Sequence, residues 1–98
     1  MATITITAFP ARFETMSGIR FVSVLFGRAH APLHSETIEA RSVAEVRARC
    51  EAVRDDLAKR GAPFKLSVAC HGRKPGGYDA AYNSLCLSFD PEAPAVAA

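Results

Sequence analysis

SVAEVRARCEAVRDDLAKRG, Ser42 to Gly61, is the stretch that decides the fold. Val43, Val46, Cys50, Val53 and Leu57 recur at three- and four-residue steps, which stacks them on one side of a helix. Ser42 precedes the run and Glu45 follows three residues later, the spacing of a capping box in which each side chain satisfies a backbone N–H of the first turn. Lys59 and Arg60 bring positive charge to the last turn, where the free carbonyls are negative. Gly61 offers the left-handed conformation that ends helices, and Pro63 prevents a restart. The opposite side carries Arg47, Arg49, Glu51, Arg54, Asp55, Asp56 and Lys59. Glu45–Arg49, Asp55–Lys59 and Asp56–Arg60 are spaced as acid-first i,i+4 pairs. A helix wet on one side and apolar on the other needs a sheet to lie on.

Working outward, the segments before the helix read as three strands. Thr3 to Phe9 alternates β-branched residues strictly, the mark of a strand with one apolar side. Pro10 cannot donate to a ladder, which predicts an edge position or a bend there, with Arg12 to Thr15 as an extension. Met16-Ser17-Gly18 predicts a turn. Ile19 to Phe26 is apolar at both parities, which predicts a central strand covered on both faces. Gly27 to Pro32 is a loop, and Leu33 to Ala40 is a more polar strand paired with its predecessor.

Two strands are expected after the helix. Phe64 to His71 alternates, with Phe64, Leu66, Val68 and Cys70 inward. Gly72 to Ala81 reads as a long loop and Tyr82 to Phe89 as a fifth strand. From Asp90 to Ala98 no period remains, which predicts a flexible tail after a single domain over residues 1–89. The expected fold is α+β: a two-layer sandwich, order βββαββ, with a mostly antiparallel sheet of four to five strands and one helix over about 42–60. Its inner face would hold Val22, Val24, Phe26, Leu66, Val68, Leu85 and Leu87. Its open face would show Phe21 and Leu25 among small and polar residues, which resembles a partner surface.

Length and composition exclude several classes. A chain of 98 residues holds one modest core. A net charge of +2 with mixed signs does not by itself imply nucleic acid. No apolar run reaches a membrane span, no basic-then-apolar leader opens the chain, and three cysteines form no framework. The chain therefore reads as cytoplasmic, with no membrane partner.

Chemistry-bearing sets are hard to assemble. Cys70 and His71 are a thiol beside a base, but neighbours on a strand point to opposite faces. Cys50 falls on the buried helix stripe. His30, His34, His71 and Cys86 are the available zinc ligands, but the second close pair that a tetrahedral site uses is missing. No metal and no cofactor is expected. The loop Gly72-Arg73-Lys74-Pro75-Gly76-Gly77-Tyr78-Asp79 combines glycines with two cations that suit an anion, yet lacks the phosphate-loop pattern. Tyr78 and Tyr82 flank it as candidate partner anchors.

The residues thus point to a small non-catalytic protein-binding module. It would act through Phe21 and Leu25, or through Arg73, Lys74, Tyr78 and Tyr82, on a protein partner or a second copy of itself. Acatalytic α+β chains of this size are common among phage- and plasmid-encoded inhibitors of host machinery, and by that analogy of architecture the chain reads as an inhibitor or adaptor. The alternative is a weak nucleic-acid binder using the basic loop at 72–78. An enzyme or metal-binding protein ranks third, because no nucleophile–base or acid–base set comes together.

Overall fold

The computed structural model describes residues 1–92. In chain order its elements are β1 (Ala2–Met16), β2 (Ile19–Val24), β3 (His34–Ala40), α1 (Val43–Ala58), β4 (Phe64–His71), α2 (Tyr78–Leu85) and β5 (Ser88–Phe89). The strands form one five-stranded antiparallel sheet, and the fold is α+β.

β1 is the spine of the molecule. Its first half is central, paired with β3 from Ala2↔Ala40 to Ala8↔His34 and with β4 from Thr3↔His71 to Pro10↔Phe64. Among the described residues the one strand paired with its second half is β2, from Ala11↔Val24 to Met16↔Ile19, and the Ala11 N–H also donates to the Pro63 carbonyl. β2 and β3 lie end to end along one edge of β1. The Leu25 N–H donates to the Pro10 carbonyl and the Leu33 N–H to the Ala8 carbonyl, and residues 26–32 loop out between them. A residue's N–H and C=O point to the same side of a strand, so the N–H that Pro10 lacks would have faced the break between β2 and β3. Little pairing is lost there, which is how a proline sits inside the longest strand.

The strand order corrects the expectation. The segment read as an edge is the central strand, and β3 pairs with β1 rather than forming a hairpin with β2. The segment read as central and doubly covered, Ile19 to Phe26, is an edge strand that ends at Val24 and is exposed at nearly every residue. Val22, Val24 and Phe26 accordingly lie outside the core. The buried sheet face is instead Ala2, Ile4, Ile6 and Ala8 of β1 with Phe64, Leu66 and Val68 of β4.

The α1 stripe closes that face: Val46, Cys50, Val53 and Leu57 are buried, and Val43 packs against the cluster. The Ser42–Glu45 box and the Gly61 stop are those the sequence predicts, but α1 ends at Ala58, so Lys59 and Arg60 lie past its last turn. Ser42 Oγ accepts from the Glu45 N–H, a Glu45 carboxylate oxygen accepts from the Arg41 N–H, and Gly61 adopts φ +79°. The i,i+4 ladder on the wet side is replaced by other pairings. Arg54 joins Asp55, Lys59 joins Asp56, and Arg49 leaves the helix to grip Glu36 of β3. A cross-element pair ties two elements together, whereas an exposed pair on one helix contributes only a few tenths of a kcal/mol.

Glu36 accepts from Arg49 Nε and Nη2 and from His34 Nε2, the last at 2.6 Å. The Arg49 hydrogen bonds hold its carboxyl down at about 2 against an ordinary 4.5. A carboxyl held lower in the folded chain stabilises the fold above its unfolded value, and that contribution disappears as pH falls from 4.5 towards 2. Arg49 is half exposed, so water screens the pair and the expected contribution is at most about 1 kcal/mol. Glu36→Gln should cost that much at pH 7 and converge with the parent near pH 2, as read by denaturant midpoints across the pH range.

The second correction lies beyond β4. The residues read as the end of a loop and a fifth strand form α2, and only Ser88–Phe89 is extended. Tyr78, Ala81, Tyr82 and Leu85 have helical spacing, and Tyr78 and Leu85 are buried. α2 thereby shields the free edge of β4. The Tyr78 hydroxyl donates to the Val68 carbonyl at 3.4 Å, Leu66 donates to the Leu87 carbonyl, and Phe89 stacks on Phe64 with centroids 5.6 Å apart. The tail expected from Asp90 begins with an anchored residue, because Arg20 holds the Asp90 carboxylate at 2.7 and 3.0 Å. Residues 93–98 of that tail lie outside the described residues.

Candidate interaction surface

Beyond Pro10 the sheet narrows to two strands. Ala11–Met16 and Ile19–Val24 form a ribbon closed by a two-residue turn in which Ser17 and Gly18 have φ +51° and +78°. Positive φ at both central residues is the primed turn whose twist matches a hairpin, and glycine takes the second position without a Cβ penalty. Among the described residues no helix or further strand packs on this arm, and contact from the body comes from Pro63 and Asp90–Glu92 near its root. Met16 is 59% exposed, Ile19 58%, Phe21 47% and Val22 38%. The register places Met16 opposite Ile19 and Glu14 opposite Phe21, so Met16, Ile19 and Phe21 share one face of the ribbon.

The other face is partly tied down. Arg20 lies over the Phe13 ring at 5.8 Å, donates to Thr15 Oγ1 at 3.1 Å and bonds Asp90, while Glu92 approaches at 3.6 Å. The Arg20 hydrogen bond holds the Asp90 carboxyl below its usual value and raises the guanidinium above its own. Arg20, the one charged side chain of β2, is thus neutralised within the chain.

At the arm's root, Phe9 and Phe26 meet edge to face with centroids 5.1 Å apart, and Phe26 is 65% exposed. With Val24, Lys65, Tyr82 and Cys86 they line a groove of about 410 Å³ running to α2. Lys65 Nζ donates to the Cys86 carbonyl at 3.2 Å. The open face of the sheet body is polar: Thr3 donates to Glu39, Thr5 bonds Thr37, and Thr7 bonds Ser35. His71 stands in the Thr3 row, and the phenyl rings on this face, Phe9 and Phe26, stand at the arm's root.

The candidate residues read from sequence therefore scatter. Phe21 is exposed on the arm rather than in the middle of a sheet face, and Leu25 is half-buried at the arm's root. Tyr82 is 39% exposed beside the groove. Tyr78 is no anchor for a partner: it is 4% exposed, and burial pushes its hydroxyl up to about 12. Arg73 and Lys74 lie at the far end of β1, sharing a recess of about 270 Å³ with Met1, Ala40, Arg41 and Gly76. Lys74 is held there by Asp79 at 2.8 Å. Fifteen residues of strand separate that recess from the arm tip, on the order of 40 Å. The arm and the basic loop are two separate places.

Sequence reading missed Met16, Ile19, Val22, Phe26 and Phe9 as surface residues. The signal was present in the apolar residues at both parities of Ile19–Phe26, which fit an uncovered ribbon as well as a doubly covered strand.

Cys70 and His71, the thiol and base that neighbour each other in sequence, do not converge. Cys70 and His71 sit opposite Ile4 and Thr3 on successive rungs of β4. Burial pushes the Cys50 thiol up to about 11, which leaves it unreactive. Among the described residues no three His, Cys, Asp or Glu side chains gather closely enough to hold a metal ion. No helix of the described residues is long and apolar enough to cross a membrane.

No protein-family model matches the chain, and no curated protein or solved structure gives a significant match.

Proposed function

We propose that the protein is a non-catalytic binding module that docks on a protein partner through the β1–β2 arm and the adjoining Phe9–Phe26 corner. The observation that carries this reading is the uncovered row of Met16, Ile19 and Phe21 on a ribbon that leaves the body of the sheet. Apolar side chains held on an ordered ribbon bind with little loss of freedom, and the largest apolar patch on a chain is often a functional one. A docking element of this sort suits an inhibitor or adaptor that acts by occupying another protein's surface.

The test is capture from the native host by the tagged chain, with affinity measured for the partner recovered. Ile19→Ala and Phe21→Ala should each weaken binding by roughly 2 kcal/mol, about thirtyfold, with melting temperatures close to the parent's. Undiminished binding by the double variant would remove the arm from the function.

A further inference from the structure

Resting on the reading of the arm as a docking element, we propose that its partner is a second copy of this chain, joined edge to edge through β2 about a two-fold axis at Val22. Among the described residues the only ladder partner of β2 is β1, and none of them pairs with its outer edge. The register identifies which groups lie on that edge. The Leu25 N–H donates to the Pro10 carbonyl, so odd-numbered residues of this strand face β1 and Arg20, Val22 and Val24 face outward.

Those outward groups are self-complementary. In an antiparallel pairing centred on Val22, the two Val22 residues exchange both of their backbone hydrogen bonds, and Arg20 stands opposite Val24 of the second copy. Ile19 then stands opposite Leu25 of the second copy, so the apolar tip of each arm reaches the root of the other, next to its exposed Phe26. Phe21 stands opposite Ser23 and diagonal to the second Phe21, within reach of an aromatic side chain.

Charge permits this approach. Chains usually protect an edge strand with charged side chains, proline or a bulge, and the one such residue of β2 is Arg20. Its single cation is bound by Asp90 and Glu92 and falls opposite a valine. The area is also of the right size. Aromatic side chains bury ~150–250 Å² each, so Ile19, Phe21, Val22 and Phe26 offer on the order of 400 Å² of apolar surface at their observed exposure. A stable interface takes about 800 Å² from each partner, somewhat more than half of it apolar.

Sedimentation velocity on the full chain over a wide concentration range tests the proposal, which expects a species of twice 10.5 kDa. Val22→Lys and Val22→Glu each place like charges opposite one another at the two-fold axis and should raise the dimer dissociation constant about a hundredfold. Val22 is 38% exposed, so both variants should keep the parent's circular dichroism, and its melting temperature when compared at concentrations where the parent is monomeric. Mixing the two variants should restore a dimer, because lysine then faces glutamate. Asp55→Lys, on the wet side of α1, should leave association unchanged. A parent that stays monomeric at the highest concentration overturns self-pairing while leaving capture of another protein to be read separately. A dimer that survives Val22→Lys, or a mixture that stays monomeric, overturns this register.

Discussion

Ile6→Ala is expected to destabilise the protein by about 3 kcal/mol, and Val22→Ala by less than about 1 kcal/mol. Ile6 is fully buried in the half of β1 that runs between β3 and β4, facing the α1 stripe. Truncation there removes the transfer free energy of the lost carbons and leaves a cavity in packing held from both sides. Val22 stands on a ribbon where water already reaches it, so little contact is lost. For a domain of 98 residues the difference should appear as a fall in melting temperature of roughly 15 °C for Ile6→Ala against a few degrees for Val22→Ala. Equal losses would mean that Ile19–Val24 is the covered strand and that the strand order is wrong.

Tyr78→Ala should cost about 3–4 kcal/mol, whereas Tyr78→Phe should cost about 1 kcal/mol or less. The ring is 4% exposed among the α2 and β4 core residues, and its hydroxyl makes only a long bond to the Val68 carbonyl. The packing of the ring therefore outweighs the hydrogen bond. Tyr82→Ala, one turn later on the open side of α2, should stay within about 1 kcal/mol. Absorbance titration of the parent should show a tyrosine that ionises near 12, because burial disfavours the phenolate. Partner capture that depended on Tyr78 in a fully folded variant would contradict its place in the core.

The difference between Tyr78 and Tyr82 shows where sequence reading stops. Both flank a glycine-rich loop, and nothing local distinguishes them. Tyr78 and Leu85 at i,i+7 carry a helical signal, but Leu85, Leu87 and Phe89 alternate as a strand does. Over so short a stretch both periods fit, and the free edge of β4, which needed covering, is a feature of the assembled sheet. The same holds for Ile19–Phe26. Apolar residues at both parities state that neither face of the strand is polar, but they do not state whether protein or solvent lies against them. Arg20 and Asp90 are seventy residues apart, so their pairing was not visible in the chain either.

What the sequence alone determined are the features whose physics is local. These are the α1 stripe, the Ser42 cap and the Gly61 stop, the turn at Ser17-Gly18, the alternation of β4 and the α+β class. Each follows from a period or a backbone preference contained within a few residues. Only the tertiary structure decided that β1 is central, that α2 replaces a strand, and that β2 projects as an uncovered arm. Those outcomes depend on which elements compete for the same sheet edge, and that competition is resolved by packing between residues far apart in the chain.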